Sequence, residues 1–95
     1  RTISKSEGAQ NLRKVNIFLE NKEEGNEFSR IANTFVDDID INCGSMNLDG
    51  KSALGMFCFA YPLKAEAVLI SDNQDDIRRF DAAMEQFRMD RGENL

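Results

Sequence analysis

The chain contains few residues that could carry chemistry, and it lacks the residue that most often moves protons or phosphoryl groups near neutral pH. Its 95 residues include no histidine. Cys58 would need a neighbouring base to become a nucleophile, and the usual base, an imidazole, is missing. Gly50-Lys51-Ser52 ends like a phosphate-binding P-loop, but the first glycine of that motif is absent. We therefore expect no catalytic residue and no enzymatic activity.

Carboxylates are abundant, but their spacing does not indicate a metal site. One run surrounds the predicted start of the first helix and another follows that helix. Neither has the regular ligand spacing of a calcium-binding loop. We interpret both as solvated charge runs and expect no metal and no cofactor. The acidic residues concerned are Glu20, Glu23, Glu24 and Glu27 in the first run, and Asp37, Asp38 and Asp40 in the second.

Ser52 is the strongest candidate for a modified side chain. It precedes the apolar run Ala53–Ala60, so its hydroxyl can cap a short helix. A phosphate on the same hydroxyl would lie at a helix N-terminus beside the ammonium group of Lys51. Two interpretations stay open at this point: a plain cap, which needs no kinase, and a regulatory phosphorylation site.

Composition limits the classes of partner. With 17 acidic and 12 basic residues the net charge is −5, whereas a nucleic-acid-binding protein needs a basic face. No apolar run approaches the ~20 residues that span a bilayer, and no secretory signal pattern opens the chain. We expect a cytoplasmic protein that binds neither nucleic acid nor membrane. Cys43 and Cys58 lie in apolar patterns and are predicted to be buried thiols rather than a disulfide.

Hydrophobic periodicity in the first half predicts a strand, a helix and a hairpin. Residues 15–19 alternate with period two, as in a strand with one buried face. A charged loop over residues 20–25 would follow, and then a helix with Asn26 as its N-cap. Its apolar stripe consists of Phe28, Ile31, Ala32 and Phe35. Alternation returns on both sides of Gly44-Ser45, which suits a two-residue hairpin turn with glycine at positive φ.

The second half predicts a short helix, a strand and a final helix. The short helix would run from Ser52 to about Ala60, and the strand over residues 66–70. Ser71, Asp72 and Asn73 offer caps for the final helix. One face of that helix is formed by Ile77, Phe80, Met84 and Phe87. The order β-α-β-β-α-β-α predicts an α+β open sandwich, with a flexible arm over 1–11, one domain over 12–91 and a tail over 92–95.

This order, with a middle helix opened by Lys-Ser, is similar to that of the HPr phosphocarrier family and its regulatory relative Crh. The closest stretch, residues 47–57, reads Asn-Leu-Asp-Gly-Lys-Ser-Ala-Leu-Gly-Met-Phe and resembles the segment around the family's regulatory serine. The likeness covers about residues 12 to 88. It implies an open-faced sandwich in which three helices cover one face of a four-stranded antiparallel sheet.

The chain departs from that family at the phosphorylated site. The family carries its phosphoryl group on a histidine at the start of the first helix, followed by a residue, an arginine and a proline. Counting back without gaps from Ser52 places Asn21 at the histidine, Glu23 at the arginine and Glu24 at the proline. An amide nitrogen is far too weak a nucleophile for this transfer, and the glutamates would repel the phosphoryl group. Phosphocarrier chemistry is therefore excluded.

The resemblance implies that the middle helix lends apolar contacts to partner proteins of sugar-uptake control. The expected docking residues are Ala53, Leu54 and Phe57, with Gly55 permitting close approach. In the alternative interpretation Met56, Phe57 and Phe59 belong to the core. We expect an HPr-like regulatory or protein-interaction module of the sugar phosphotransferase system. A Crh-like switch phosphorylated on Ser52 and a relic of the fold without any phosphoryl role are the alternatives.

Overall fold

A computed structural model describes residues 12–92 of the chain, with the side chains of residues 12–90. The predicted arm over 1–11, and residues 93–95 of the predicted tail, lie outside the described residues. The elements in chain order are β1 (Leu12–Leu19), α1 (Lys22–Ala32), β2 (Asp38–Cys43), β3 (Met46–Asp49), α2 (Ala53–Phe57), β4 (Leu63–Ile70) and α3 (Gln74–Met84). Two 3-10 turns follow α3, at Glu85–Phe87 and Met89–Gly92.

The four strands form one antiparallel sheet in the order β1-β4-β2-β3. The longest pairing joins β1 to β4, from Leu12 opposite Ile70 to Leu19 opposite Leu63. Since β4 also pairs with β2 from Ile70 to Glu66, it lies inside the sheet. The predicted class is confirmed: the protein is an α+β open-faced sandwich with a four-stranded antiparallel sheet and three helices.

Strand alternation places all the helices on one face of the sheet. In β1, β2 and β4 the odd-numbered residues point toward the helices, and each helix contributes buried apolar side chains to the same core. The Phe28 and Phe87 rings pack at 5.7 Å between centroids, and the Phe35 and Phe80 rings at 6.2 Å. The largest fully buried apolar side chains are Ile17, Leu19, Phe28, Ile39, Ile41, Met56, Leu69, Phe80, Met84 and Phe87.

The start of the first helix differs from the prediction. The N-cap of α1 is Asn21, not Asn26, because Asn21 has an extended backbone (φ −154°, ψ 178°) and its Oδ1 accepts a hydrogen bond from the Glu24 N–H at 3.0 Å. The Glu24 carboxylate in turn accepts a hydrogen bond from the Glu20 N–H at 2.8 Å. The supposed charged loop is therefore the first turn of α1, where carboxylates favour the positive end of the helix dipole.

Several other helices and strands begin or end at residues that differ from the predicted ones. The middle helix is shorter than predicted and ends at Phe57, and β4 begins at Leu63 because its pairing with β1 extends that far. Phe35 and Phe87 lie just beyond α1 and α3, yet both are buried. Two predictions are confirmed. Cys43 pairs with Met46 across a two-residue turn with Gly44 at φ +62°, and Asn73 caps α3.

A charged cluster joins the loop after α1 to α3. The Arg79 guanidinium lies 4.2 Å from the Phe35 ring centroid and donates to the carbonyl and hydroxyl oxygens of Thr34, both at 3.2 Å. It also pairs with Asp76 at 3.3 Å. Two carboxyls can share a hydrogen bond only if one is protonated, and this interaction with Asp37 raises the pKa of Asp76, with burial and the Asp37 charge acting in the same direction.

This carboxyl pair makes stability depend on pH. Because the pKa of Asp76 is higher in the folded state than in the unfolded state, its stabilising effect is present at low pH and is lost as the pH rises through the folded value. An amide at position 37 can donate to the Asp76 carboxylate and removes the repulsion. We expect Asp37→Asn to raise the Tm at pH 7 and to change it little at pH 3.

Thermal unfolding at the two pH values checks this expectation. Asp38→Asn is the matched control, because it removes the same charge from the next residue, which is exposed. An equal gain in the two variants at pH 7 would show that only net charge matters and would contradict the pairing.

Candidate functional site

Ser52 caps α2 as the sequence predicts. Its backbone is extended (φ −85°, ψ 103°) and its Oγ accepts a hydrogen bond from the Gly55 N–H at 3.0 Å. An added Cβ at Gly55 would lie 3.2 Å from that same Oγ and 3.9 Å from Leu48 Cδ1. The position of a Cβ at Gly55 therefore lies toward the Ser52 cap, and a side chain there would require only a small shift of the hydroxyl.

The Lys51 side chain reaches the loop after α1. Its Nζ donates to the Phe35 carbonyl at 2.7 Å, in a partly buried position after α1. The Asn33 side chain donates to the carbonyls of Ser29 and Lys51 at 2.8 and 2.9 Å, joining the end of α1 to the same segment. In the unmodified chain this ammonium group joins two loops, and the expected pairing with a phosphate on Ser52 stays a prediction.

The short helix divides its apolar side chains between core and solvent. Met56 and the following Phe59 are buried, whereas Leu54 is 75% exposed and Phe57 is 51% exposed. Ala53 is exposed beside them, and Met46 of the β2–β3 hairpin is also 51% exposed. We call the exposed apolar residues of the helix itself, Ala53, Leu54 and Phe57, the α2 surface.

The α2 surface adjoins the start of α1. The Lys22 ammonium lies 4.3 Å from the centroid of the Phe57 ring, a cation–π geometry. Lys22 is the first residue of α1, and Asn21 precedes it with its Oδ1 engaged by the Glu24 N–H. The predicted docking residues and the predicted equivalent of the family's histidine thus occupy neighbouring elements, while Glu23 is exposed in the same first turn.

Tyr61 joins α2 to α1. Its hydroxyl donates to the Met56 carbonyl, and burial raises the pKa of the phenol. The same hydroxyl packs on Gly25, where an added Cβ would overlap it. A glycine inside a helix costs about 1 kcal/mol relative to alanine, and this close approach explains why α1 contains one. Neither Tyr61 nor Lys22 was identified from the sequence, because their contacts join separate elements and follow no local spacing.

The other potentially reactive or ligating side chains of the described residues do not form a common site. No three potential metal ligands converge anywhere in that part of the chain. Cys43 is half-buried and Cys58 is exposed, so the expected burial of Cys58 is wrong; both are free thiols. A cavity of about 330 Å³ lies beside β1 and the last 3-10 turn. Its two arginines already pair with carboxylates, Arg13 with Asp81 at 2.6 Å and Arg88 with Asp90 at 2.9 Å.

Two comparisons with known proteins found no match to this chain. No protein-family model matches the chain, and no curated protein matches it either. Over residues 12–92, the longest helices have 11 residues, and none is long and apolar enough to cross a membrane. The resemblance to HPr and Crh therefore stays a prediction, supported by the confirmed fold class.

The contact between Gly25 and Tyr61 predicts a coupled pair of substitutions. Gly25→Ala should destabilise the protein by about 2 kcal/mol, because overpacking of the phenol exceeds the gain in helix propensity. In a Tyr61→Phe background the cost should fall by about 1 kcal/mol, since the overlapping hydroxyl is gone. Urea unfolding of the four proteins measures both values.

Asn26→Ala serves as the control for this cycle. Asn26 is exposed one residue further along α1, so its replacement should shift stability by less than ~0.5 kcal/mol. An identical cost of Gly25→Ala in both backgrounds would mean that Tyr61 does not press on α1.

Proposed function

We propose that this chain is a cytoplasmic, HPr-like protein-interaction module related to the sugar phosphotransferase system, and that it recognises a partner protein through the α2 surface without carrying a phosphoryl group. The observation that supports recognition is the exposure of Leu54 and Phe57 on the short helix. Contiguous exposed apolar side chains are typical of protein-binding sites. Partners would be proteins of sugar-uptake control, as the resemblance implies; the acidic net charge disfavours nucleic acid.

The α2 surface has the composition of a small docking site. Its centre is apolar, and the Lys22 ammonium stands at its border over the Phe57 ring. Interfaces commonly combine an apolar centre with a polar rim. Full burial of a leucine side chain is worth about 1.5–3 kcal/mol, so Leu54, three-quarters exposed in the isolated chain, can contribute substantially to binding.

The start of α1 supports the proposal that the chain carries no phosphoryl group. Its N-cap is an amide whose oxygen already accepts the Glu24 N–H. Glu23 and Glu24 lie in the same turn, and their negative charges oppose the approach of an anionic phosphoryl group. With no imidazole in the chain, the residues at this position can take part in recognition but not in relay.

The alternative of a switch phosphorylated on Ser52 stays a prediction. The hydroxyl is half-buried and accepts the Gly55 N–H, so a phosphate would have to replace the existing cap. Lys51 would have to leave the Phe35 carbonyl to pair with it. These two interactions favour the plain cap, and they give the regulatory alternative no support of its own. The relic interpretation leaves the exposure of Leu54 and Phe57 without a role.

Replacing Leu54 tests the proposed docking site. HPr kinase is the probe, added to the isotope-labelled chain while amide resonances are followed by NMR. We expect shifts over residues 46–57, and we expect Leu54→Gln to weaken binding about tenfold, because the lost burial is worth about 1.4 kcal/mol or more. The side chain is mostly exposed, so the variant should fold normally.

Leu12→Gln is the matched control. Leu12 is 45% exposed and lies on the sheet face opposite the helices, so binding should change by less than about twofold. Equal weakening by the two substitutions, or no binding by the unmodified chain, would contradict the proposed site.

A further inference from the structure

The first strand lies at the border of the sheet, and most of its outer side has no described partner. β1 pairs with β4 over all eight of its residues and is the outermost strand of the order β1-β4-β2-β3. On its other side, one isolated antiparallel bridge joins Ile17 to Arg88. Within the described chain, no segment pairs with the outer side of residues 12–16, which we call the β1 edge.

A cavity lies along the β1 edge. Its volume is about 330 Å³, and it is lined by residues 13–16 on one side and by residues 88–90 on the other. The bridge at Arg88 begins an antiparallel pairing, but the chain then enters the 3-10 turn Met89–Gly92 and does not continue along β1. Unpaired N–H and C=O groups at the edge of a sheet are a template for another strand. The fold therefore leaves space beside β1 for an extended antiparallel segment.

The β1 edge carries two adjacent cations in a chain whose net charge is −5. Arg13 and Lys14 are both exposed, and they point to opposite faces of the sheet because they are consecutive residues of a strand. On the helix side, the Arg13 Nε donates to Asp81 of α3 at 2.6 Å, whereas its two terminal nitrogens donate no hydrogen bond to a described residue. Lys14 makes no ion pair within residues 12–90. Both side chains can therefore bind a further carboxylate.

We propose that the β1 edge binds an extended segment of another protein as a fifth, antiparallel strand, and that this segment carries two consecutive acidic residues between apolar ones. Successive side chains of a strand point to opposite faces, so one carboxylate lies opposite Arg13 and the other opposite Lys14. Cross-strand pairs of opposite charge stabilise a sheet. The flanking apolar residues lie opposite Leu12, which is exposed, and Val15, which is half-buried. Main-chain hydrogen bonds supply affinity in this mode of binding, and the side-chain pairs supply specificity.

The same two cations disfavour other occupants. Pairing of two β1 edges centred on Arg13 and Lys14 would bring like charges together, and charged side chains at an edge commonly prevent such self-pairing. A nucleic acid needs a basic face, whereas these cations point to opposite faces of the sheet. The β1 edge shares no residue with the α2 surface, so its test is independent of the proposed function.

The probe is a fluorescent peptide, Thr-Val-Glu-Glu-Val-Thr, whose binding to the whole chain is followed by anisotropy. In antiparallel register its two glutamates lie opposite Lys14 and Arg13. We expect saturable binding, and a loss of about fivefold in affinity for the double variant Arg13→Gln/Lys14→Gln, because exposed cross-strand ion pairs are individually weak. Both side chains are exposed, so the variant should fold normally. Amide shifts caused by the peptide should concentrate on residues 12–17.

The charge-matched control is Arg30→Gln/Arg78→Gln. Both arginines are exposed on helices, and each loses an ion pair with the carboxylate three residues before it, as Arg13 loses its pair with Asp81. The affinity of this control for the peptide should change by less than about twofold.

A charge swap tests the register of the added strand. Lys14→Glu should weaken binding of the peptide with two glutamates and should restore binding of Thr-Val-Lys-Glu-Val-Thr, in which the opposing residue is a lysine. Absence of this recovery, absence of saturable binding, equal weakening by the two double variants, or shifts centred away from β1 would overturn the proposal. Equal affinity for a thymidine oligonucleotide, or peptide binding that appears only after removal of residues 1–11, would assign the edge to another occupant and would also overturn it.

Discussion

The packing of three helices onto one face of a single four-stranded sheet determines which side chains this protein can present to a partner. The central strand β4 supplies Ala65 and Ala67 to that face, and these small residues belong to the same core as the Phe28, Phe80 and Phe87 rings. α2 is only five residues long and buries Met56 alone, so its remaining apolar side chains stay in solvent. The same arrangement places the described helices on one side of the sheet only, opposite the face that carries Asp38, Asp40 and Asp49.

Element types and order could be predicted because they depend on local patterns. The alternation around Gly44, the caps at Ser52 and Asn73, and the apolar stripe of α3 are each contained in a few neighbouring residues. Boundaries were less certain where two residues could fill one role. Asn21 and Asn26 are both good caps, and the choice depends on the paired bonds among Glu20, Asn21 and Glu24, which only the folded backbone brings together.

The apolar residues of the candidate site could be predicted from the sequence, but the contacts of its charged side chains could not. Leu54 and Phe57 were expected at a surface because a helix with apolar residues all round cannot bury all of them against one sheet. The hydrogen bond from Lys51 to the Phe35 carbonyl was not predicted, because its acceptor lies sixteen residues away in the sequence. Contacts between distant segments, such as Lys22 with Phe57, have no counterpart in local spacing.

Recognition and phosphoryl transfer can be separated experimentally, because the proposed resemblance is to a phosphocarrier family while the chain contains no histidine. The most direct measurement is intact mass spectrometry after incubation with enzyme I and phosphoenolpyruvate, with an active HPr in the same reaction as positive control. We predict that HPr gains a phosphoryl group and that this chain keeps its original mass. A phosphoryl–nitrogen adduct on this chain would contradict the account.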